Sequence, residues 1–249
     1  MLEITNLTKS YAKSDKKAVD DLTLRLNRGE IFGFLGPNGA GKTTTIKMIM
    51  GILTPDGGRI TINGIDAGQE SMRAKKMLGY VSDSHIIYDK LSGREYVDFL
   101  ADIYGVDAVT RRIRCDALLE RFHLKEAFND RINTYSHGMK QKISVIGALI
   151  HEPELWVLDE PMTGLDPQSS FELKELMRAH CAAGKTVFFS THVLEVAEKL
   201  CDRVGIIVNG RLVLVGTMAE IKAASNDKSL EEVFMSVAGG NRDWLNANG

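Results

Sequence analysis

The segment Gly36-Pro37-Asn38-Gly39-Ala40-Gly41-Lys42-Thr43 constrains this chain more than any other. It meets G-x-x-x-x-G-K-[ST] at every required place. It follows the apolar run Ile31-Phe32-Gly33-Phe34-Leu35, and Thr44 and Thr45 lead into a helix expected from Thr44 to Met50. A strand, a glycine-rich turn and a helix in that order bring unpaired backbone N–H groups and the positive helix end to one point, where an anion is stabilised. The pattern is that of a phosphate-binding loop, with Lys42 reaching β- and γ-phosphates and the Thr43 hydroxyl ligating Mg²⁺. Gly184-Lys185-Thr186 serves as an internal control. It has Ala179 where the first glycine belongs and runs into Val187-Phe188-Phe189, a strand pattern, so only the first segment qualifies.

A second apolar run, Leu155-Trp156-Val157-Leu158, ends in two adjacent acids, Asp159 and Glu160. Strand side chains alternate, so neighbouring acids at a strand end are expected to point apart and to do different work. Asp159 suits a Mg²⁺-holding carboxylate in the manner of a Walker B strand. Glu160 is then free to polarise an attacking water as general base.

Around these motifs, short apolar runs ending in Gly, Asp or Ser alternate with amphipathic stretches, as in an α/β domain with a largely parallel sheet. Strands are expected over 2–7, 19–26, 31–35, 59–62, 78–81, 155–158, 186–189, 204–208 and 212–215, the first two antiparallel. Asn209-Gly210 predicts a two-residue hairpin turn, because both residues tolerate positive φ. From about 92 to 151 the strand signal gives way to helical periodicity over 93–104, 108–122 and 139–151, which reads as a helical subdomain inserted into the sheet. A last helix is expected over 230–237, so the ordered domain runs from 1 to 238 and 239–249 forms a loose tail.

Charge and cysteine content narrow the function classes. The net charge of -2 provides no basic stripe for nucleic acid, which is therefore not an expected partner. Cys115, Cys181 and Cys201 are odd in number, with no C-x-x-C spacing, and read as core or surface thiols in a reducing compartment. The first residues lack the pattern of a signal peptide, and no apolar run approaches the length of about 18 residues that spans a bilayer. Work at a membrane would need a partner.

Tyr135-Ser136-His137-Gly138-Met139-Lys140-Gln141 resembles the ABC signature in its YSxGMKQ variant, with His137 where Gly or Lys is more usual. A polar residue and a glycine ahead of a helix offer a second set of N–H donors to an anion. Gly164-Leu165-Asp166-Pro167 is similar to the family's D-loop, Ser190-Thr191-His192 to its switch-histidine strand end, and Tyr11 stands where an aromatic residue stacks on adenine. In this order and spacing the parts resemble the ATP-binding subunit of an ATP-binding cassette transporter, closest in pattern to bacterial drug- and lantibiotic-efflux exporters.

The resemblance implies a P-loop NTPase core with a mostly parallel sheet, an antiparallel β subdomain and an inserted helical subdomain, an ATPase using ATP and Mg²⁺. It implies that Gly36 to Thr44 bind the phosphates, with Ser136, Gly138 and Asp166 completing the site from a second, identical cassette paired head to tail. Catalysis falls to Glu160, His192, Lys42 and Asp83. The family places Gln or Glu at the position of Asp83, against Mg²⁺ and the water, so Asp83 joins Thr43 and Asp159 as an expected metal ligand with a side chain one methylene short. A transmembrane permease on a separate chain would carry the protein to the cytoplasmic face of the membrane, docking on residues 84–104 through Ile86, Ile87, Tyr88 and Leu91. A soluble ABC ATPase acting on ribosomes or DNA, and a sensor without turnover, are the alternatives. Glu160 argues against the sensor.

Overall fold

Strand β3 (Ile31–Leu35) is buried at all five positions, which is why it reads as a continuous apolar run and not as an alternating one. In the computed structural model, which describes residues 1–12, 16–83, 88–225 and 227–239, β3 is flanked on both sides by parallel partners. The other strands of its sheet are β6 (Leu78–Val81), β7 (Leu155–Asp159), β8 (Thr186–Thr191), β9 (Arg203–Val208) and β10 (Arg211–Gly216). Their order is β10-β9-β3-β8-β7-β6. All pairs are parallel except β9 with β10, which turn back through Asn209 and Gly210, both at positive φ, as the hairpin signal predicts. Leu35, Val81, Asp159 and Thr191 thus end at one carboxyl edge, where ligands bind in open α/β sheets.

A second, antiparallel sheet is formed by β1 (Leu2–Ser10), β2 (Lys17–Leu26), β4 (Gly57–Ile62) and the short β5 (Ile65–Asp66), in the order β2-β1-β4-β5. Its alternating positions Leu2, Ile4, Leu22 and Leu24 pack against Phe32, Phe34 and Phe188 of the parallel sheet. The rings of Phe32 and Phe188 stack at 5.9 Å. Helix α1 (Lys42–Ile49) closes this layer with Ile46, Met48 and Ile49.

Helix α2 (Ser71–Lys76) precedes β6, and α3 (Gly93–Tyr104), α4 (Ala108–Arg121) and α5 (His137–Leu149) occupy the stretch of helical periodicity. Val97, Ala101, Leu119, Phe122, Ile143 and Ile146 of this stretch share one core with Trp156, Leu158 and Phe189 of the sheet. Movement of the helices is therefore tied to the strands that carry the acids. The remaining helices are α6 (Pro167–Ala182), α7 (Leu194–Leu200), α8 (Met218–Ala224) and α9 (Leu230–Ala238).

The strand expectations are met to within three residues at their ends. Two helices start earlier than their apolar period: α1 at Lys42, directly after the left-handed Gly41, and α5 at His137, because Ser136 caps it by accepting the Met139 N–H at 3.2 Å. The sequence reading assigned no helix to 167–182, where Asp166 caps Ser169 N–H and Pro167 opens the first turn. It also left α2, α7, α8 and β5 unassigned. Of the tail from 239, only Gly239 is among the described residues.

Cys115 is buried and Cys181 and Cys201 are half-buried. Burial pushes the Cys115 thiol up to about 11 and the Cys181 thiol to about 12, which leaves them protonated and unreactive at neutral pH. Among the described residues no helix is long and apolar enough to cross a membrane.

Candidate functional site

The carboxyl edge of the parallel sheet carries a cavity of about 340 Å³ lined by Tyr11, Ala18, the loop 37–44, Asp83 and Glu160. Two glycines shape its floor. A Cβ at Gly36 would lie 2.5 Å from the Ile207 carbonyl oxygen, and one at Gly41, whose φ is +109°, would lie 2.4 Å from that of Ala18. Any side chain at either place would force the loop away from β2 and β9, so the glycines are structural conditions for the cradle.

Lys42 is buried at the first position of α1, with its ammonium donating to the Gly36 carbonyl at 2.6 Å and to that of Pro37 at 3.4 Å. The same nitrogen is 3.6 Å from Glu160 Oε1. Tyr11 is half-exposed at the cavity mouth, its hydroxyl 3.4 Å from Thr44 Oγ1.

Asp159 and Glu160 separate as expected, by a different cause from the one anticipated. Strand β7 ends at Asp159, and Glu160 has a left-handed backbone at φ +49°, rare for a residue with a β-carbon. Asp159 is fully buried; Oδ1 accepts the Ser190 hydroxyl at 2.5 Å and Oδ2 has no hydrogen-bond partner. Burial holds its carboxyl above the usual range, opposed by the Ser190 and Thr43 hydroxyls and reinforced by Asp83 and Glu160. Glu160 instead reaches outward, its Oε2 2.9 Å from Nδ1 of His192, which places the imidazole proton on Nδ1.

Asp83 lines the cavity and accepts the Ser82 hydroxyl at 3.2 Å. Ser136, Gly138 and Asp166 do not line it. They sit together elsewhere: a Cβ at Gly138 would be 3.1 Å from the Gly164 carbonyl, and Lys142 Nζ lies 3.3 Å from Asp166 Oδ2. Hydrogen bonds from Ser169 and then the Lys142 charge hold the Asp166 carboxyl well below the usual carboxylate range. Gln141 Nε2 donates to the Pro161 carbonyl at 2.9 Å. The start of α5 thereby grips the loop that follows Glu160.

The residues fit a magnesium ion. A buried carboxylate oxygen without a partner, beside a threonine hydroxyl, is a hard oxygen donor set of the kind that holds Mg²⁺ together with substrate phosphates and water. Among the described residues there is no group of three or more His, Cys, Asp or Glu arranged to hold a metal ion by themselves. The rejected Gly184-Lys185-Thr186 indeed enters β8, with Lys185 donating to the Glu152 carbonyl at 2.8 Å.

Two participants escaped the sequence reading. Ala18 presses its carbonyl against Gly41. Ser190 touches both acids, accepting the Glu160 N–H at 3.0 Å. Its signal was a small polar residue directly after the apolar run Val187-Phe188-Phe189.

Compared with known proteins, residues 19–163 match the family described as ABC transporter. The chain is 38% identical over 245 residues to the linearmycin resistance ATP-binding protein LnrL of Bacillus subtilis, across 98% of this chain and 78% of that one. It is 33% identical to the ABC transporter ATP-binding protein NatA of the same organism, across 95% and 97% of the two chains. A solved structure described as the ATP binding subunit of an ABC transporter superposes with a TM-score of 0.91 at 33% identity, over 95% of this chain and 99% of the other.

Proposed function

Taking as premise that this chain belongs to the ABC transporter family and is its ATP-binding, ATP-hydrolysing subunit, we propose that it drives an exporter whose membrane-spanning subunit is a separate chain. The observation that carries the hydrolytic part of the reading is the convergence on Glu160. One carboxylate oxygen lies by Lys42 of the phosphate loop and the other on His192, at the mouth of a glycine-floored cradle.

In this proposal the N–H groups of the loop 36–43 and the Lys42 ammonium bind the β- and γ-phosphates, while the Tyr11 ring stacks on the base. Thr43 and Asp159 would hold Mg²⁺, with Asp83 as a further ligand through its shorter arm. When bound, the ion would neutralise charge on the phosphates. Phosphate oxygens draw Lys42 from the Gly36 carbonyl and from Glu160, which frees the carboxylate to take a proton from water in line with the γ-phosphate. His192 keeps Glu160 aimed.

Two cassettes pair head to tail, so that Ser136 and Gly138 of one complete the phosphate site of the other. The similarity to LnrL, a resistance protein by name, supports export of a drug-like molecule. The partner docks beside the Asp83 loop, where Tyr88 and Phe99 are exposed and meet edge to face at 5.5 Å. Ile86 and Ile87, expected in the same surface, lie outside the described residues. Leu91 is half-buried and lines one groove with Tyr88 and Phe99. A cysteine introduced at Tyr88 is expected to cross-link to cytoplasmic loops of the membrane subunit in isolated membranes. Cross-links confined to other faces would end the docking assignment.

A further inference from the structure

Sheet order puts β8 between β3, which runs into the phosphate loop, and β7, which ends in Asp159. The residue that faces both acids from this central strand is Ser190, in register with Asp159 and fully buried.

Its hydroxyl has a single proton. A carboxylate can only accept, so that proton is committed to Asp159 Oδ1 at 2.5 Å. The hydroxyl oxygen then has lone pairs to offer, and one takes the Glu160 N–H at 3.0 Å. Two consequences follow. Asp159 has one oxygen engaged and the other, Oδ2, left without a hydrogen bond. Glu160, at φ +49°, is tied by its own amide in a backbone conformation that L residues seldom adopt.

We propose that Ser190 is a positioning residue for the ATPase reaction: one buried hydroxyl orients the metal-holding carboxylate and fixes the left-handed turn that sends Glu160 outward to Lys42 and His192. The proposal rests on the ATP-site reading above. Ser190 does not line the phosphate cavity; it acts through the two acids. Removing the hydroxyl leaves the Glu160 amide without this acceptor and takes the hydrogen bond from Asp159, while the loop 36–43 is untouched. Metal affinity and turnover should therefore suffer together, and binding of the nucleotide without metal should not.

The test is Ser190→Ala in the full chain, read in three ways. Steady-state phosphate release should lose about 10–100-fold in kcat, the scale of removing a partner that orients a metal ligand, with the KM for ATP changed by less than about threefold. Binding of a fluorescent ATP analogue in EDTA should match the parent. In a Glu160→Gln background, where turnover does not intervene, Mn²⁺ titration of the ATP-loaded protein by electron paramagnetic resonance should show half-saturation raised about 10-fold by Ser190→Ala. A purely packing role lowers Tm and leaves kcat and Mn²⁺ affinity in place. If Ser190→Ala fails to fold, Ser190→Cys, close in volume and a weak donor, is read the same way. Either folded variant with kcat and Mn²⁺ half-saturation within about twofold of the parent overturns the proposal. Should Glu160→Gln itself hydrolyse ATP like the parent, the site reading fails; a dead Glu160→Gln beside an unaffected Ser190 variant sinks this inference alone.

Discussion

His192 Nδ1 lies 2.9 Å from Glu160 Oε2, across the gap between the ends of β8 and β7. The imidazole is more than half exposed and the carboxylate is not, a geometry in which the histidine would latch Glu160 from the solvent side. His192→Ala is expected to lower kcat about 10–100-fold by letting Glu160 wander or fall back on Lys42. The KM for ATP should change little, because His192 does not line the phosphate cavity. Steady-state phosphate release over a range of ATP concentrations separates the two constants, and a change confined to KM would contradict the latch.

Within one chain, Ser136 and Gly138 are absent from the cavity that holds Lys42, although both segments offer helix N-terminal donors. If a second copy supplies them, Lys42→Ala and Ser136→Arg chains, each inactive alone, should complement when mixed. Half of randomly formed pairs then contain one intact site, so the mixture should recover roughly a quarter of the parental rate. A mixture as inactive as both parents would exclude independent sites completed in trans.

Two half-buried histidines link stability to pH. His151 stacks on Tyr104 and donates Nε2–H to the Leu78 carbonyl at 3.0 Å, and His180 lies edge-on to Trp156. Burial lowers both to about 4. Between their ordinary value of 6.5 and 4 the unfolded chain binds protons that the folded chain refuses, so stability is full above about 6.5 and falls as pH drops through that window. Asp159, raised by burial, works in the opposite sense and offsets part of the loss. After allowance for partial exposure, each histidine should account for about 1 kcal/mol between pH 7 and 5. At about 2–4 °C per kcal/mol, the fall in Tm over that interval should be smaller in His180→Phe than in the parent. An identical fall would show that His180 does not carry it.

Much of this architecture is legible in the residues because buried parallel strands announce themselves: β3 and β7 are apolar at nearly every position, β8 carries the apolar run Val187-Phe188-Phe189, and all three end in the motifs that matter. The phosphate loop was readable for the same reason, since glycine spacing and a following helix are local properties. Helix α6 was missed because Asp166-Pro167, which caps and starts it, drew attention as a loop motif, and its buried face is reduced to Ser169, Leu173 and Met177. Glu160 was identified as a base, yet its direction comes from a left-handed turn that local alternation does not foretell. Ser190 stands in the strand-end motif with His192, but its contact with both acids follows from the strand order that sets β8 between β3 and β7. Ser136 and Gly138 carry a local helix-cap signal, but their distance from the phosphate cavity is a tertiary fact.

We propose Glu160, set between Lys42 and His192, as the base that activates water. Glu160→Gln preserves the shape of the side chain and removes its capacity to take a proton. Phosphate release from the purified chain under saturating ATP and Mg²⁺ should fall by roughly 10² or more, while a fluorescent ATP analogue binds as tightly as to the parent. Turnover of Glu160→Gln at the parental rate would remove Glu160 from the chemistry and contradict the account at its centre.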